Sequence, residues 1–310
     1  MMQRPLTPAT LALTVFLAAA GCGSSRPQGW SPSQRVAEPT VFAPGVVSTP
    51  GAQEFGVAFT PDASAVYFTR RAPGGPQGIW FSRFDGSAWS DPQIAPFSTG
   101  VDENPWITSD GMALYFVSRR AGALGLEDAS DNLWVVDRVG EGWGAPRPVP
   151  GAVNRPRPEG AGWPVGSELS PTLGPDGALY YWTQEPGGGA SPDIYRADPA
   201  SGGFAAGRPL GAPINTEATE ASVSFGPGGV MVFQAYGREG GVGGEDLYVS
   251  RPIGGGWSRP LPLPINSDAN EIFPSFSPDG RYFFFASDRE ADEGAYSIYF
   301  VELSTLGLNL

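Results

Sequence analysis

Apolar positions along this chain fall in pairs of short extended runs separated by turns. In EIFPSFSPDGRYFFFASDRE, residues 271–290, Ile272, Pro274 and Phe276 alternate with other side chains. Pro278-Asp279-Gly280 then reverses the chain, and 281–287 continues as a second extended segment. The same hairpin pattern recurs as EFGVAFTPDASAVYFTR from Glu54, DENPWITSDGMALYFVSR from Asp102, ELSPTLGPDGALYYWTQ from Glu168 and EASVSFGPGGVMVFQAY from Glu220. In all five copies an acidic residue stands eight positions before the second turn residue, which is Asp62, Asp110, Asp176, Gly228 or Asp279. A third apolar segment follows each hairpin: GIWFSR, NLWVVD, DIYRAD, DLYVSR and SIYFVE. In the first four units a Gly turn then leads to an aromatic (Trp89, Trp143, Phe204, Trp257), with proline a few residues on.

Each unit therefore reads as four short strands, and the turn positions lie 48, 66, 52 and 51 residues apart. Four strands repeated at a period near fifty predict an all-β fold, a five-bladed β-propeller of four-stranded antiparallel blades that bury their faces against each other. The fifth unit stops after its third strand, at STLGLNL. GWSPSQR at Gly29 matches GWSRPLP at Gly256, so residues 29–48 are expected to supply the last blade's outer strand and close the ring. The alternative is an open solenoid of five hairpin units with a loose N-terminal linker.

The units FSPDG, YFFFASDR, GGEDLYVS and GGGWSRPLPLPIN resemble the Pro-Asp-Gly repeats of the TolB-type, WD40-like bacterial propellers, over nearly the whole chain after its leader. The resemblance implies a propeller and an envelope setting, and leaves function open because propellers host many activities. The chain departs from TolB in having no α/β domain ahead of the propeller and five repeats in place of six. TolB's own partners are therefore not carried over.

In a propeller the first strand of each blade is innermost. Glu54, Asp102, Glu168, Glu220 and Glu271 are thus expected to ring one mouth of the channel and are candidate ligand-binding residues. Neighbours about 8 Å apart would repel by ~0.5 kcal/mol in water and ~2 kcal/mol at an effective dielectric of about 20. A dry mouth would need arginine, a bound cation or raised carboxylate pKa values. Arg71, Arg120, Arg238 and Arg289 end the second strand of four units, so a structural ring of ion pairs is one reading and a cation or ligand site the other. The third unit has Gln184-Glu185 there, which makes Glu168 the acid expected to lack a partner. That unit also carries the insertion GAVNRPRPEGAGWPVGS, 151–167, whose Arg155, Arg157 and Trp163 form a further binding candidate for a sugar or carboxylate, or simply a proline-stiffened rim. The Pro-Asp-Gly turns read as structural, and GREGGVGGED (237–246), with no lysine and a strand after it, is not a phosphate loop.

Composition narrows the chemistry. There is no histidine, and all 19 basic residues are arginine, so no Ser-His-Asp triad, Cys-His pair or imidazole metal site exists. A net charge of −13 opposes nucleic acid. The single cysteine, Cys22, follows a basic start, the apolar run LALTVFLAAA and the small residues AAG. Residues 1–22 resemble a bacterial lipoprotein signal, which implies lipidated Cys22, a tether at 23–28 and a propeller over 29–310. An ordinary secretory signal or an uncleaved anchor are the alternatives. The expectation is a monomeric, non-catalytic lipoprotein of the bacterial cell envelope, facing the periplasm or the cell surface. It would touch the membrane through its lipid alone, hold a protein or glycan partner at the channel mouth, and use no cofactor unless a cation sits at the acidic ring. The alternative is a carbohydrate-active enzyme using channel-mouth carboxylates, which needs two carboxyls in distinct environments ~5 to 9.5 Å apart.

Overall fold

The computed structural model describes residues 30–32, 35–120, 130–187, 189, 191–290 and 295–308; the leader, Cys22 and the tether at 23–28 lie outside the described residues. The chain forms a five-bladed β-propeller. Blade 1 pairs Gln53–Phe59, Ala65–Arg71, Gly78–Arg83 and Gln93–Ile94 in that order, and blade 2 pairs Asp102–Ile107, Ala113–Ser118, Asn132–Val139 and Arg147–Pro148. Blade 3 is Leu169–Leu173, Leu179–Thr183, Asp193–Ala197 and Arg208–Pro209; blade 4 is Thr219–Phe225, Met231–Tyr236, Glu245–Ser250 and Leu261–Pro262. Blade 5 takes Glu271–Phe276, Tyr282–Ser287 and Ser297–Glu302 from the C-terminal end of the chain and Thr40–Val41 from the N-terminal end. The inner strands touch in a closed ring, blade 5 against blade 1.

The hydrophobic pattern explains why blades stack. Five separate cores fill the five junctions. Consecutive side chains on a strand point to opposite faces, so both faces of a buried blade must be apolar. Phe283 and Phe285 accordingly pack against blade 4, while Phe284 packs against blade 1. Tyr180 and Tyr181 divide in the same way between blades 4 and 2. Burying each such ring contributes roughly 1.5–3 kcal/mol, and it does so only once the neighbouring blade is in place.

The turns follow their sequence. Asp110 accepts hydrogen bonds from Thr108 Oγ1 at 2.6 Å and the Met112 amide at 2.9 Å, Asp279 repeats this with Ser277 and Arg281, and Gly111 and Gly280 take the positive φ that closes the turn.

Closure by the N-terminal segment holds, with a shift in register. Thr40 lies opposite Phe300 and Val41 opposite Tyr299, and the Glu302 amide donates to Val36 O. Trp30 does not open this strand, ten residues ahead of it as it is. Trp257 is held in a hairpin with Pro252–Ile253 that continues from its own third strand. Blade 5 instead ends in the 3-10 turn Leu303–Leu306 and offers no such hairpin. Trp30 wedges between blades 5 and 1, its amide donating to Ala63 O and its ring 6.0 Å from Phe59, 5.0 Å from Phe42 and 5.3 Å from Phe300. Since Ala63 lies in the turn after Pro61-Asp62, the chain enters the propeller on the turn face.

Candidate functional site

Each inner strand carries a bulge just after its acid, and the residue two positions on has positive φ: Gly56, Asn104, Ser170, Ser222 and Phe273. The twisted backbone directs amides across blade junctions, with Asn104 N donating to Thr69 Oγ1 and Phe273 N to Gln234 Oε1. The repeat acids therefore end up elsewhere than at the mouth. Glu54, Glu168, Glu220 and Glu271 are fully buried, Asp102 is 1% exposed, and none of the five lines the cavity at the channel mouth.

Instead each acid staples its blade to the connection arriving from the preceding one. Thr49, Thr216 and Ser267 each donate an amide and a hydroxyl to the carboxylates of Glu54, Glu220 and Glu271, and Thr99 donates its amide to Asp102. The residue just before that cap clamps the preceding blade's third strand. Asn154, Asn215 and Asn266 each accept from and donate to the backbone of Leu133, Ile194 or Leu247. Ser48 and Ser98 accept from the Ile298 and Ile79 amides. The signal was present in INTEATE and INSDANE, two in-register stretches of Asn, a hydroxyl residue and the acid four residues later.

Arginine neutralises the ring. Arg120–Asp102 (2.6 Å), Arg238–Glu220 (2.8 Å) and Arg289–Glu271 (2.9 Å) pair as expected, but Glu54 pairs with Arg70 at 3.0 Å and not with Arg71. Arg70 stands directly opposite Glu54 in the hairpin and shares its face, whereas Arg71 projects from the other face. The guanidiniums also stack on the aromatic of the third strand, Trp80, Trp134, Tyr248 or Tyr299, within 5.2–5.4 Å. Their remaining N-H groups cap carbonyls of the incoming connection, Val46, Phe97, Pro213 and Ile265.

Blade 3 is the exception. Its arginine, Arg155, comes from the insertion and is shared between Glu168, at 3.5 Å, and Glu185. Among the described residues Glu168 Oε1 has no hydrogen-bond partner, and burial pushes the carboxyl up to about 7. Arg155 is thus committed to a junction, Arg157 does not line the mouth cavity, and Trp163 does.

The mouth itself is a funnel of about 490 Å³ on the face from which the inner strands start. Its floor is a polar chain in which Asn104 Nδ2 donates to Ser170 Oγ, itself 3.0 Å from Ser222 Oγ, beside the Phe55–Phe273 stack at 4.7 Å. Below it the channel narrows to a space of about 40 Å³, room for about one water. Trp163 and Trp182 form one wall, edge to face at 6.1 Å. Arg71, over the Phe55 ring, and Glu103, which accepts from both Arg71 and Gln77, line the funnel as well.

The remaining funnel carboxylate is Glu245, which accepts from Gln234 Nε2 at 2.9 Å. Burial holds its carboxyl above the ordinary glutamate range, and the Asp288 charge acts in the same direction. Nearby, burial pushes the Tyr296 phenol up to about 12. Glu103 and Glu245 were not singled out from the sequence because neither occupies a repeat position. They are the extra acids of the Asp102-Glu103 and Glu245-Asp246 doublets, and that doubling was the available signal. Among the described residues no three His, Cys, Asp or Glu side chains stand close enough to hold a metal ion.

No protein-family model matches the sequence, and no curated protein matches it. Solved structures do match. A structure described as a glycoside hydrolase is 11% identical with a TM-score of 0.52, covering 86% of this chain and 91% of its own. A thermostable family-43 glycoside hydrolase is 13% identical with a TM-score of 0.51, covering 82% and 91%. A putative TolB from Agrobacterium tumefaciens is 18% identical with a TM-score of 0.49, covering 81% and 78%. At these identities the likeness is one of fold.

Proposed function

We propose that this protein is a non-catalytic propeller of the bacterial cell envelope that holds a glycan or protein partner in its funnel, tethered through the lipid that its leader resembles a signal for. The observation that carries this reading is the division of labour among side chains. Four of the five repeated carboxylates are consumed in blade junctions by arginine and Glu168 is buried in the fifth, while the funnel presents aromatic surface with a few fixed polar groups, the make-up of a binding pocket. The membrane-side geometry is compatible, because the chain enters on the turn face and the funnel opens on the other. The test is capture from solubilised envelopes by the full-length protein and by a Trp163→Ala variant. A component retained by the first and lost by the second supports the reading; equal retention by both contradicts it.

One observation favours a second reading, a carbohydrate-active enzyme. Glu103 is held by Arg71 and Gln77, whereas Glu245 is desolvated with a raised pKa, so two funnel carboxyls occupy different environments. Sugar release from a glycan panel that disappears in Glu245→Gln would establish it and displace the first.

A further inference from the structure

We propose that the funnel's ligand is an oligosaccharide without acidic groups, either neutral or carrying ammonium groups, which lays one sugar face on Trp163 and offers its hydroxyls to Glu245. This rests on reading the funnel as a binding site and goes beyond it by naming the ligand's chemistry.

The wall comes first. Trp163 is 58% exposed, and its one polar atom is already used, since Nε1 donates to Asp131 Oδ2 at 3.0 Å. Edge-to-face contact with Trp182 fixes the ring at an interplanar angle of 88°. An indole so held offers a flat apolar face with little freedom left to lose, which suits the C–H face of a pyranose ring.

The polar groups beside the wall come next. The funnel's side-chain amides and its guanidinium each give an N-H to a neighbour and keep further N-H groups. Asn104 Nδ2 goes to Ser170, Gln234 Nε2 to Glu245, and Gln77 and Arg71 to Glu103. Acceptors are left over. Among the described residues Asn104 Oδ1 has no hydrogen-bond partner, but it is shut away from the funnel, which leaves Glu245 as the acceptor within a ligand's reach. Glu245 receives one side-chain amide for a carboxyl with room for about four hydrogen bonds. A ligand that engages Glu245 must bring O-H or N-H groups.

Charge agrees with hydrogen-bond sense. Arg71 is cancelled by Glu103 and Arg119 by Asp131, whereas among the described residues Glu245, which lines the funnel, has no ion-pair partner. The funnel keeps a surplus of negative charge within a chain of net charge −13, so anionic glycans are repelled both locally and at a distance.

The test is a glycan array carrying neutral, amino-sugar and acidic oligosaccharides, probed with the purified full-length protein and followed by titration of the hits. The expected hits are neutral or amino-sugar chains, weakened about tenfold or more by Trp163→Ala at temperatures where the variant is still folded. Glu245→Gln is expected to weaken amino-sugar chains more than neutral ones. Preferential binding of uronate, sialylated or phosphorylated chains that depends on Trp163 overturns the ligand class and leaves the funnel reading standing. So does binding of no glycan while an envelope protein is captured in a Trp163-dependent way. Glycan binding indifferent to both substitutions overturns the ligand class and the funnel reading together.

Discussion

Arg238→Met removes the cation from one blade junction while keeping most of the side chain's apolar length. Arg238 donates to Glu220 Oε1 at 2.8 Å and to Pro213 O at 2.7 Å, and stacks on Tyr248. Glu220, fully buried, would be left with its Thr216 contacts but no counter-charge. Breaking a buried pair by deleting one partner costs about 3–5 kcal/mol, because the surviving charge has no water to turn to. That is a large share of the roughly 5–15 kcal/mol by which domains are stable, and it corresponds to a melting temperature lower by about 10 °C. Tryptophan fluorescence during urea and thermal unfolding reads both quantities. The control is Arg147→Met, whose partner Asp137 is exposed, with an expected cost of ~0.2–1 kcal/mol. Adding Glu220→Gln to Arg238→Met should restore part of the loss, since the stranded charge is then gone. A cost for Arg238→Met no larger than the Arg147 control would refute the junction role of the acids.

Further outcomes follow from the same geometry. Burial raises the Glu168 carboxyl from 4.5 to about 7, so the folded protein binds that proton more tightly than the unfolded chain does. Its contribution is fully present below about pH 4.5 and is lost as the pH rises to about 7, a change of about 3 kcal/mol. Glu168→Gln should flatten that slope, and unfolding free energies between pH 5 and 8 that run parallel in the two proteins would contradict it. Phe42, fully buried between blades 5 and 1, should cost about 3–5 kcal/mol when replaced by alanine; a loss under ~1 kcal/mol would mean the N-terminal strand does not close the ring. Removing residues 1–45 should abolish cooperative unfolding altogether, and a truncated protein with an unchanged unfolding curve would contradict closure.

The architecture was legible because it repeats. Five Pro-Asp-Gly-type turns in register, each preceded by an acid and followed by an aromatic strand, leave few folds other than a propeller. The direction of the acids was not legible, because it depends on the bulge that follows each one. Spacing along a chain does not reveal a left-handed residue when it is Asn104, Ser170, Ser222 or Phe273 and not glycine. Arg70 and Arg71 are one residue apart, and in a strand one residue changes the face. In blades 2, 4 and 5 the residue opposite the acid is Ser118, Ala235 or Ser287, and the arginine reaches back from two or three positions further along. Strand position alone therefore misled. Trp163 was visible as an aromatic in an insertion, whereas Glu103, Gln234 and Glu245 meet in the funnel only through the folded ring.

The separation of junction acids from funnel side chains is tested most directly by measuring ligand retention and melting temperature together in two variants, Trp163→Ala and Glu220→Gln. The first should lose retention at temperatures where it is still folded. The second should melt earlier yet retain its ligand at temperatures where it is still folded. The reverse pattern, with Glu220→Gln folded but unable to bind and Trp163→Ala binding as before, would place the site back at the ring of acids.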